Sequence, residues 1–378
     1  MKWNNKGHQF DKEAEILQDT DNGFVLWGLA NIGQKFYSDY HNCINITGAV
    51  DSNEEMHGNA WNGLTVSSPD SIVCKEKQII IVTSSAYPQI KQVLQQKGFV
   101  ENVNMFDYFV FMQIYEIYAH DRLYSRRIDI SLTEKCTLKC KKCNMFMPYF
   151  NKPCDLDHDD VLKQIDEYFD MVDYVESFNL LGGEPLLYSN LAQTVGYVGQ
   201  KYRDRMQHLK IFTNGTILPS DELLDNCKKW DVEIQISDYT NEVHYESRIN
   251  QVMDILDKHE ISYYTFKSDE WGDFGFPDNP NNIGKEEVEG YFNACRAPFR
   301  GLYKSRIYFC HLETSAIRAG LFPDNSNDYF EINRDRKKEF FEFDMGYNEQ
   351  GGITFCAKCR GCYPLNKLTV PAAKQKEG

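Results

Sequence analysis

Apolar runs closed by turn residues set the rhythm of the chain from residue 24 onward. Residues 24–27 (Phe-Val-Leu-Trp) run into Gly28-Leu29-Ala30-Asn31-Ile32-Gly33, the pattern of a buried strand entering a tight turn. A helical stretch follows. A second strand at 46–50 closes on Asp51, a third covers 78–83, and 87–98 forms an amphipathic helix. Strand, glycine turn, helix, strand and acid is the order of a dinucleotide-binding fold. Its fingerprint is incomplete, because Ala30 stands where a middle glycine would let backbone approach a pyrophosphate. Asp51, 23 residues after Gly28, lies near the place of a ribose-binding acid. Two readings stay open: a nucleotide site, or a Rossmann-like module whose glycines serve only strand–helix packing.

From about residue 126 the rhythm restarts. Strands are predicted at 128–132, 177–181, 208–212, 232–237 and 261–266, with helices at 157–171, 191–203, 220–230 and 245–259. Such alternation implies a parallel sheet wrapped by helices, in which ligands gather at the C-terminal ends of strands. Three unusual motifs sit at such ends: a cysteine set after 132, Gly182-Gly183-Glu184-Pro185, and Thr213-Asn214-Gly215. Beyond 268 the alternation stops. Residues 271–284 are rich in Gly, Pro, Asn and Asp and read as a loop or lid. Residues 290–378 hold the remaining clustered cysteines and short strand-like pieces such as 306–309, and 374–378 read as a frayed end. The expected division is 1–122, 123–289 and 290–378.

Composition narrows the class. With 42% hydrophobic and 14% aromatic residues the chain can build cores. Its 56 acidic against 41 basic residues, a net charge of −15, argue against a nucleic-acid partner. No apolar run approaches the roughly 20 residues of a membrane span, and the first residues show no apolar signal core. The expectation is a soluble, cytoplasmic protein with no membrane partner. There are 12 cysteines, and eight fall into close sets: Cys136, Cys140 and Cys143; Cys295 and Cys310; Cys356, Cys359 and Cys362. In a reducing compartment such sets read as metal or redox ligands. Cys43, Cys74, Cys154 and Cys227 read as small buried hydrophobes.

The spacing Cys136-x3-Cys140-x2-Cys143 supplies three thiolates, where a structural zinc or an electron-transfer cluster usually takes four ligands. A four-iron cluster held by three thiolates keeps one iron open. Together with Gly182-Gly183-Glu184-Pro185 and Thr213-Asn214, this pattern resembles the radical S-adenosylmethionine (SAM) superfamily over about residues 126–268. The resemblance implies a partial (β/α)6 barrel, the α/β fold class, with the Rossmann-like parallel-sheet domain before it. It also implies a catalytic [4Fe-4S] cluster on Cys136, Cys140 and Cys143, and SAM held by Gly182, Gly183, Glu184, Pro185, Thr213 and Asn214. Reductive cleavage of SAM to a 5′-deoxyadenosyl radical that abstracts a substrate hydrogen is the implied chemistry. Flavodoxin or ferredoxin is the implied electron donor. The superfamily usually carries an aromatic residue before the third cysteine; Lys142 stands there, so adenine must be contacted differently. The competing reading is a zinc knuckle with Cys154 or His158 as fourth ligand.

The C-terminal five cysteines resemble the twitch and SPASM auxiliary-cluster extensions of the same superfamily, a small Cys-rich domain. That resemblance implies a second [4Fe-4S] cluster on Cys295, Cys310, Cys356 and Cys359, with Cys362 spare; zinc on the same thiols is the alternative. Two substrate classes compete. A carbohydrate-like small molecule (sugar, cyclitol or nucleotide sugar) would be oxidised or epimerised, and a ribosomally made peptide would be modified by a maturase. The N-terminal module resembles those attached to enzymes of sugar metabolism, which favours the first. Gln235, Ser237, Asp238 and Tyr239, the loop with Trp271, Asp273 and Phe274, and His311 are the candidates for the substrate cavity. Cys362 is the candidate hydrogen donor of an epimerase. No further catalytic residue is identified.

Overall fold

The computed structural model describes residues 1–295 and 299–376. They form two compact units, one of residues 8–122 and one that joins residues 1–7 to the chain from 123 onward.

In the first unit, strands β1 (Gly23–Trp27), β2 (Ile46–Val50), β3 (Ala60–Trp61), β4 (Leu64–Ser67), β5 (Gln78–Val82) and β6 (Met105–Asp107) form one sheet. Its order is β3-β4-β2-β1-β5-β6. All pairings are parallel except the β3–β4 hairpin. Helices α1 (Asp11–Gln18), α2 (Asn31–Tyr40), α3 (Tyr87–Gln96) and α4 (Tyr108–His120) accompany it. Val25, Trp27, Ile80, Val82 and Leu94 lie in one buried cluster. Gly28 adopts φ +108°, and a Cβ on Gly33 would lie 2.0 Å from the Gly28 carbonyl, so these glycines serve close strand–helix packing. Asp51 Oδ2 accepts from the Leu29 amide at 2.8 Å and its Oδ1 from the Asn53 amide at 2.9 Å. Each carboxylate oxygen thus accepts from one amide of the turn. Helix α4 left no periodic signal in the sequence because nine of its 13 residues are buried. A helix covered all round has no polar face to betray its period.

In the second unit, β7 (Tyr124–Ser131), β8 (Tyr174–Leu181), β9 (Met206–Thr213), β10 (Val232–Asp238) and β11 (Tyr263–Lys267) run parallel in sequence order. Helices α5 (His158–Met171), α6 (Leu191–Tyr202), α7 (Asp221–Lys229) and α8 (Glu246–Lys258) connect them. Two starts have the local chemistry of N-caps: Asp157 accepts from the Asp160 amide and Ser220 from the Leu223 amide. After β11 the chain leaves this sheet. Strand β12 (Glu270–Gly272) pairs instead with β16 (Thr369–Pro371). Helix α9 (Lys285–Ala294) precedes β13 (Gly301–Tyr303), β14 (Arg306–Tyr308), α10 (His311–Arg318), β15 (Tyr329–Glu331) and α11 (Lys337–Asp344). β13 adds a sixth parallel strand on the far side of β7, giving the order β11-β10-β9-β8-β7-β13-β14-β15. The cysteine-rich segment thus extends the same sheet. No helix of the described residues is long and apolar enough to cross a membrane.

A buried ion pair locks that extension. Arg300 donates to Asp344 Oδ1 (2.8 Å), to the Asp344 carbonyl (2.6 Å) and to the Phe309 carbonyl (3.0 Å), and Ser125 of β7 donates to Asp344 Oδ2 (3.3 Å). Truncating one partner strands the other charge in the core, at a cost of about 3–5 kcal/mol. Asp344→Ala is expected to lower the stability of this unit by that amount, read as a shift of the urea midpoint.

Candidate active site

The cysteine loop, between β7 and α5, sits on the end of β8 through direct backbone contact. The Gly183 amide donates to the Thr133 carbonyl at 2.9 Å and the Glu184 amide to that of Lys135 at 2.8 Å. A Cβ on Gly182 would meet the Thr133 carbonyl at 2.8 Å, and one on Gly183 the Lys135 carbonyl at 2.4 Å. Both glycines are required by this approach. Glu184, fully buried, accepts from Thr213 Oγ1 (2.7 Å), the Asn214 amide (2.8 Å) and the Leu186 amide (3.1 Å). Burial nevertheless pushes its carboxyl up to about 7. Asn214 in turn donates to Thr137 Oγ1 at 3.1 Å and points toward Cys136 Sγ at 3.7 Å.

Cys136, Cys140, Cys143, Gly182, Gly183, Thr213 and Asn214 all line one cavity of about 370 Å³. Glu184 and Pro185 are not among its lining residues; Glu184 is the tie beneath it. Burial pushes the Cys136 and Cys140 thiols up to about 12 and raises Cys143 as well. Lys142 reaches Asp278 at 2.7 Å. The aromatic surface comes from elsewhere: Tyr239 and Trp271, edge to face at 5.3 Å, pack against the cysteine loop, and Phe274 lines the cavity. Of the other expected residues, Ser237 and His311 line it, while Gln235, Asp238 and Asp273 do not. Asp273 pairs with Arg360. His311 is buried, its Nε2 lies 3.0 Å from Ser131 Oγ, and burial holds its imidazolium down to about 4.

Arg127, Asp129, Phe212 and Phe299 also line the cavity, and the motifs did not announce them. The signal was the alternation inside the strands. Ile128, Ile130, Phe178, Leu180, Leu209, Ile211, Ile234 and Ile236 are buried on one face. The opposite face carries Arg127, Asp129, Ser177, Asn179, His208, Lys210, Glu233 and Gln235. These polar groups are cross-bonded. Asp129 accepts from Arg127 (2.7 Å) and Asn179 (2.7 Å), Lys210 pairs with Glu233 (3.1 Å), and Tyr264 donates to Gln235 (2.6 Å). His208 also bonds Glu233.

Cys295, Cys310, Cys356, Cys359 and Cys362 line a second, small cavity of about 30 Å³ whose other walls are mostly Phe, Tyr, Leu and Ile. Burial pushes Cys310 up to about 11 and Cys359 up to about 12. Cys362 is not apart from the other four; it lines the same cavity as a free thiol beside Cys295. An all-thiol donor set in an apolar wall suits iron–sulfur or another soft-metal group. Among the described residues no three His, Cys, Asp or Glu side chains are arranged for a single metal ion; a cluster takes its thiolates at separate irons. Neither residue considered as the fourth ligand of a zinc knuckle lines the first cavity: Cys154 is exposed and bonds Glu134, and His158 lies beside Tyr188. Of the four scattered cysteines only Cys227 is buried; Cys43, Cys74 and Cys154 are exposed, because they lie on surface-facing positions rather than on core stripes.

Two outcomes test this construction. Gly183→Ala forces the cysteine loop off β8, so, if Cys136, Cys140 and Cys143 are the cluster ligands, reconstituted protein is expected to lose most of the iron they would hold while its far-UV circular dichroism is retained. Glu184 is protonated more readily folded than unfolded, so its contribution to stability is full below pH 4.5 and falls as pH rises through about 7. Glu184→Gln is expected to remove that part of the decline, measured by urea unfolding across this range.

The radical SAM superfamily model matches residues 130–260, and that of the C2185-like N-terminal family matches residues 21–103. No protein of curated function matches the sequence. Among solved structures, the native anSMEcpe structure with bound AdoMet and Cp18Cys peptide is 16% identical with a TM-score of 0.31. That match covers 37% of this chain and only 42% of the other. The structure of BtrN with AdoMet and 2-DOIA is 15% identical at a TM-score of 0.40, covering 63% of this chain and 93% of that one. A hexahistidine-tagged anSMEcpe with bound AdoMet is 12% identical at 0.42, covering 64% and 88%. With its three-cysteine loop and glycine turn over one cavity, the chain carries a radical SAM superfamily domain over residues 130–260, and its cofactors are those of that superfamily, a [4Fe-4S] cluster and SAM.

Proposed function

We propose that this protein is a radical SAM enzyme acting on a hydroxyl-rich, carbohydrate-like small molecule, which it oxidises or epimerises. The polar inner face of β7–β10 carries this reading. Barrel interiors of this architecture are ordinarily filled by Val, Ile and Leu. Here charged and amide side chains replace them, already held in place by one another, as a site for many hydroxyls requires.

When bound, the cluster and SAM supply the reductive cleavage and the 5′-deoxyadenosyl radical that removes a substrate hydrogen. Cys136, Cys140 and Cys143 would hold that cluster, and the backbone at Gly182 and Gly183 with Thr213 and Asn214 would border the SAM methionine. Glu184 and Pro185 support this edge from behind. Tyr239, Trp271 and Phe274 offer the apolar surface for adenine and keep water from the cavity. Arg127 and Asp129, the latter held by Asn179, would orient the substrate. Four of Cys295, Cys310, Cys356, Cys359 and Cys362 would hold a second cluster, and a flavodoxin or ferredoxin would deliver the electron.

A second reading, modification of a peptide, is favoured by the sheet edge. β11 ends the sheet, and its Tyr264 and Phe266 are 42% and 53% exposed, so an extended peptide could pair along it. Release of 5′-deoxyadenosine under anaerobic reduction, across nucleotide sugars, cyclitols and peptides, separates the two. Stimulation well above the background by a sugar or cyclitol is expected. Arg127→Gln should then cost roughly 10- to 100-fold of the stimulated rate, the worth of one ionic hydrogen bond, and spare the background. Stimulation by peptides alone would overturn the carbohydrate reading.

A further inference from the structure

The segment that the sequence marks as frayed is bound to the cysteine loop. Beyond β16, the Ala372 amide bonds the Asp269 carbonyl at 2.9 Å. Ala373, fully buried, packs on Leu138 and Cys140. The Lys141 amide then donates to the Lys374 carbonyl and the Lys376 amide to the Lys139 carbonyl, both at 2.7 Å. Glu377 and Gly378 lie outside the described residues. Between these two backbone bonds stands Gln375. Its Oε1 accepts from the Lys139 amide at 2.8 Å, and its Nε2 donates to the Ala373 carbonyl at 2.6 Å and to Cys140 Sγ at 3.3 Å. The amide orientation is forced, because the Lys139 N–H must meet an oxygen; the nitrogen is left facing the sulfur.

We propose that Gln375 is a positioning residue for the catalytic cluster, donating an N–H···S hydrogen bond to the Cys140 thiolate and so raising the cluster's reduction potential. This rests on the reading of Cys136, Cys140 and Cys143 as the ligands of that cluster. Reduction adds negative charge that the thiolates share. A donor aimed at one sulfur stabilises the reduced state more than the oxidised one. The strap from 372 to 376 holds the donor in place and covers the Cys140 side of the loop.

The test compares full-length reconstituted protein with Gln375→Leu and Gln375→Glu. Leu removes the donor. Glu keeps an acceptor for Lys139 and sets a negative charge against the sulfur. Iron content and the SAM-sensitive electron paramagnetic resonance signal of the reduced protein are read first, then its midpoint potential by redox titration. Full iron in all three, with potentials falling in the order Gln375, Leu, Glu, is the expected result. Full iron with one common potential overturns the proposal, and so does loss of the SAM-sensitive signal in both variants, which would make the strap structural only. A SAM-sensitive signal that survives replacement of Cys136, Cys140 and Cys143 by Ala would overturn the ligand reading itself, a separate failure.

Discussion

Contact between two backbones at Gly182 and Gly183 sets the height of the cysteine loop over the sheet, and most of the site follows from it. With no Cβ in the way, the turn after β8 donates to carbonyls of the loop at 2.8–2.9 Å. The next carboxylate, on Glu184, carries the same constraint sideways to Thr213 and Asn214 at the end of β9. Asn214 returns it to the loop through Thr137. Two strand ends and one loop are thereby tied into a single rim. A rim of this kind, built on strands, holds ligand positions more tightly than a free loop could.

Below the rim the sheet divides its two faces by polarity. The isoleucines and leucines bury against helices, and the opposite face keeps charge. A buried carboxylate is tolerated only when paired and hydrogen-bonded, and Asp129 meets that condition through Arg127 and Asn179; the half-buried Lys210, Glu233 and His208 are paired in the same way. The same cross-bonding holds their orientation.

The cysteine-rich segment is part of this frame rather than an appendage. β13 pairs with β7, and Arg300 and Asp344 fasten the segment beneath it. His311, which opens α10, touches Ser131 of β7 and lines the first cavity, while Cys310 beside it lines the second. The two cavities therefore share a wall made by neighbouring residues of one short element.

Much of this was written locally. Strand periods, the caps at Asp157 and Ser220, and the three-cysteine spacing before a Gly-Gly-Glu-Pro turn are properties of neighbouring residues, and they identify an α/β chain with a radical SAM loop. The polar inner face was present too, as alternation within the strands from Arg127 to Gln235, although no motif marks it. Other features depend on residues far apart. Glu184 reaches Thr213 and Asn214 only because β8 and β9 end side by side. Cys362 joins the other four thiols through the fold of its loop. Gln375 reaches Cys140 from 235 residues away, and nothing near it in the chain shows that partner. Local patterns are set by backbone geometry over a few residues, whereas the partner of a buried polar group is chosen by which strands and loops the tertiary fold brings together.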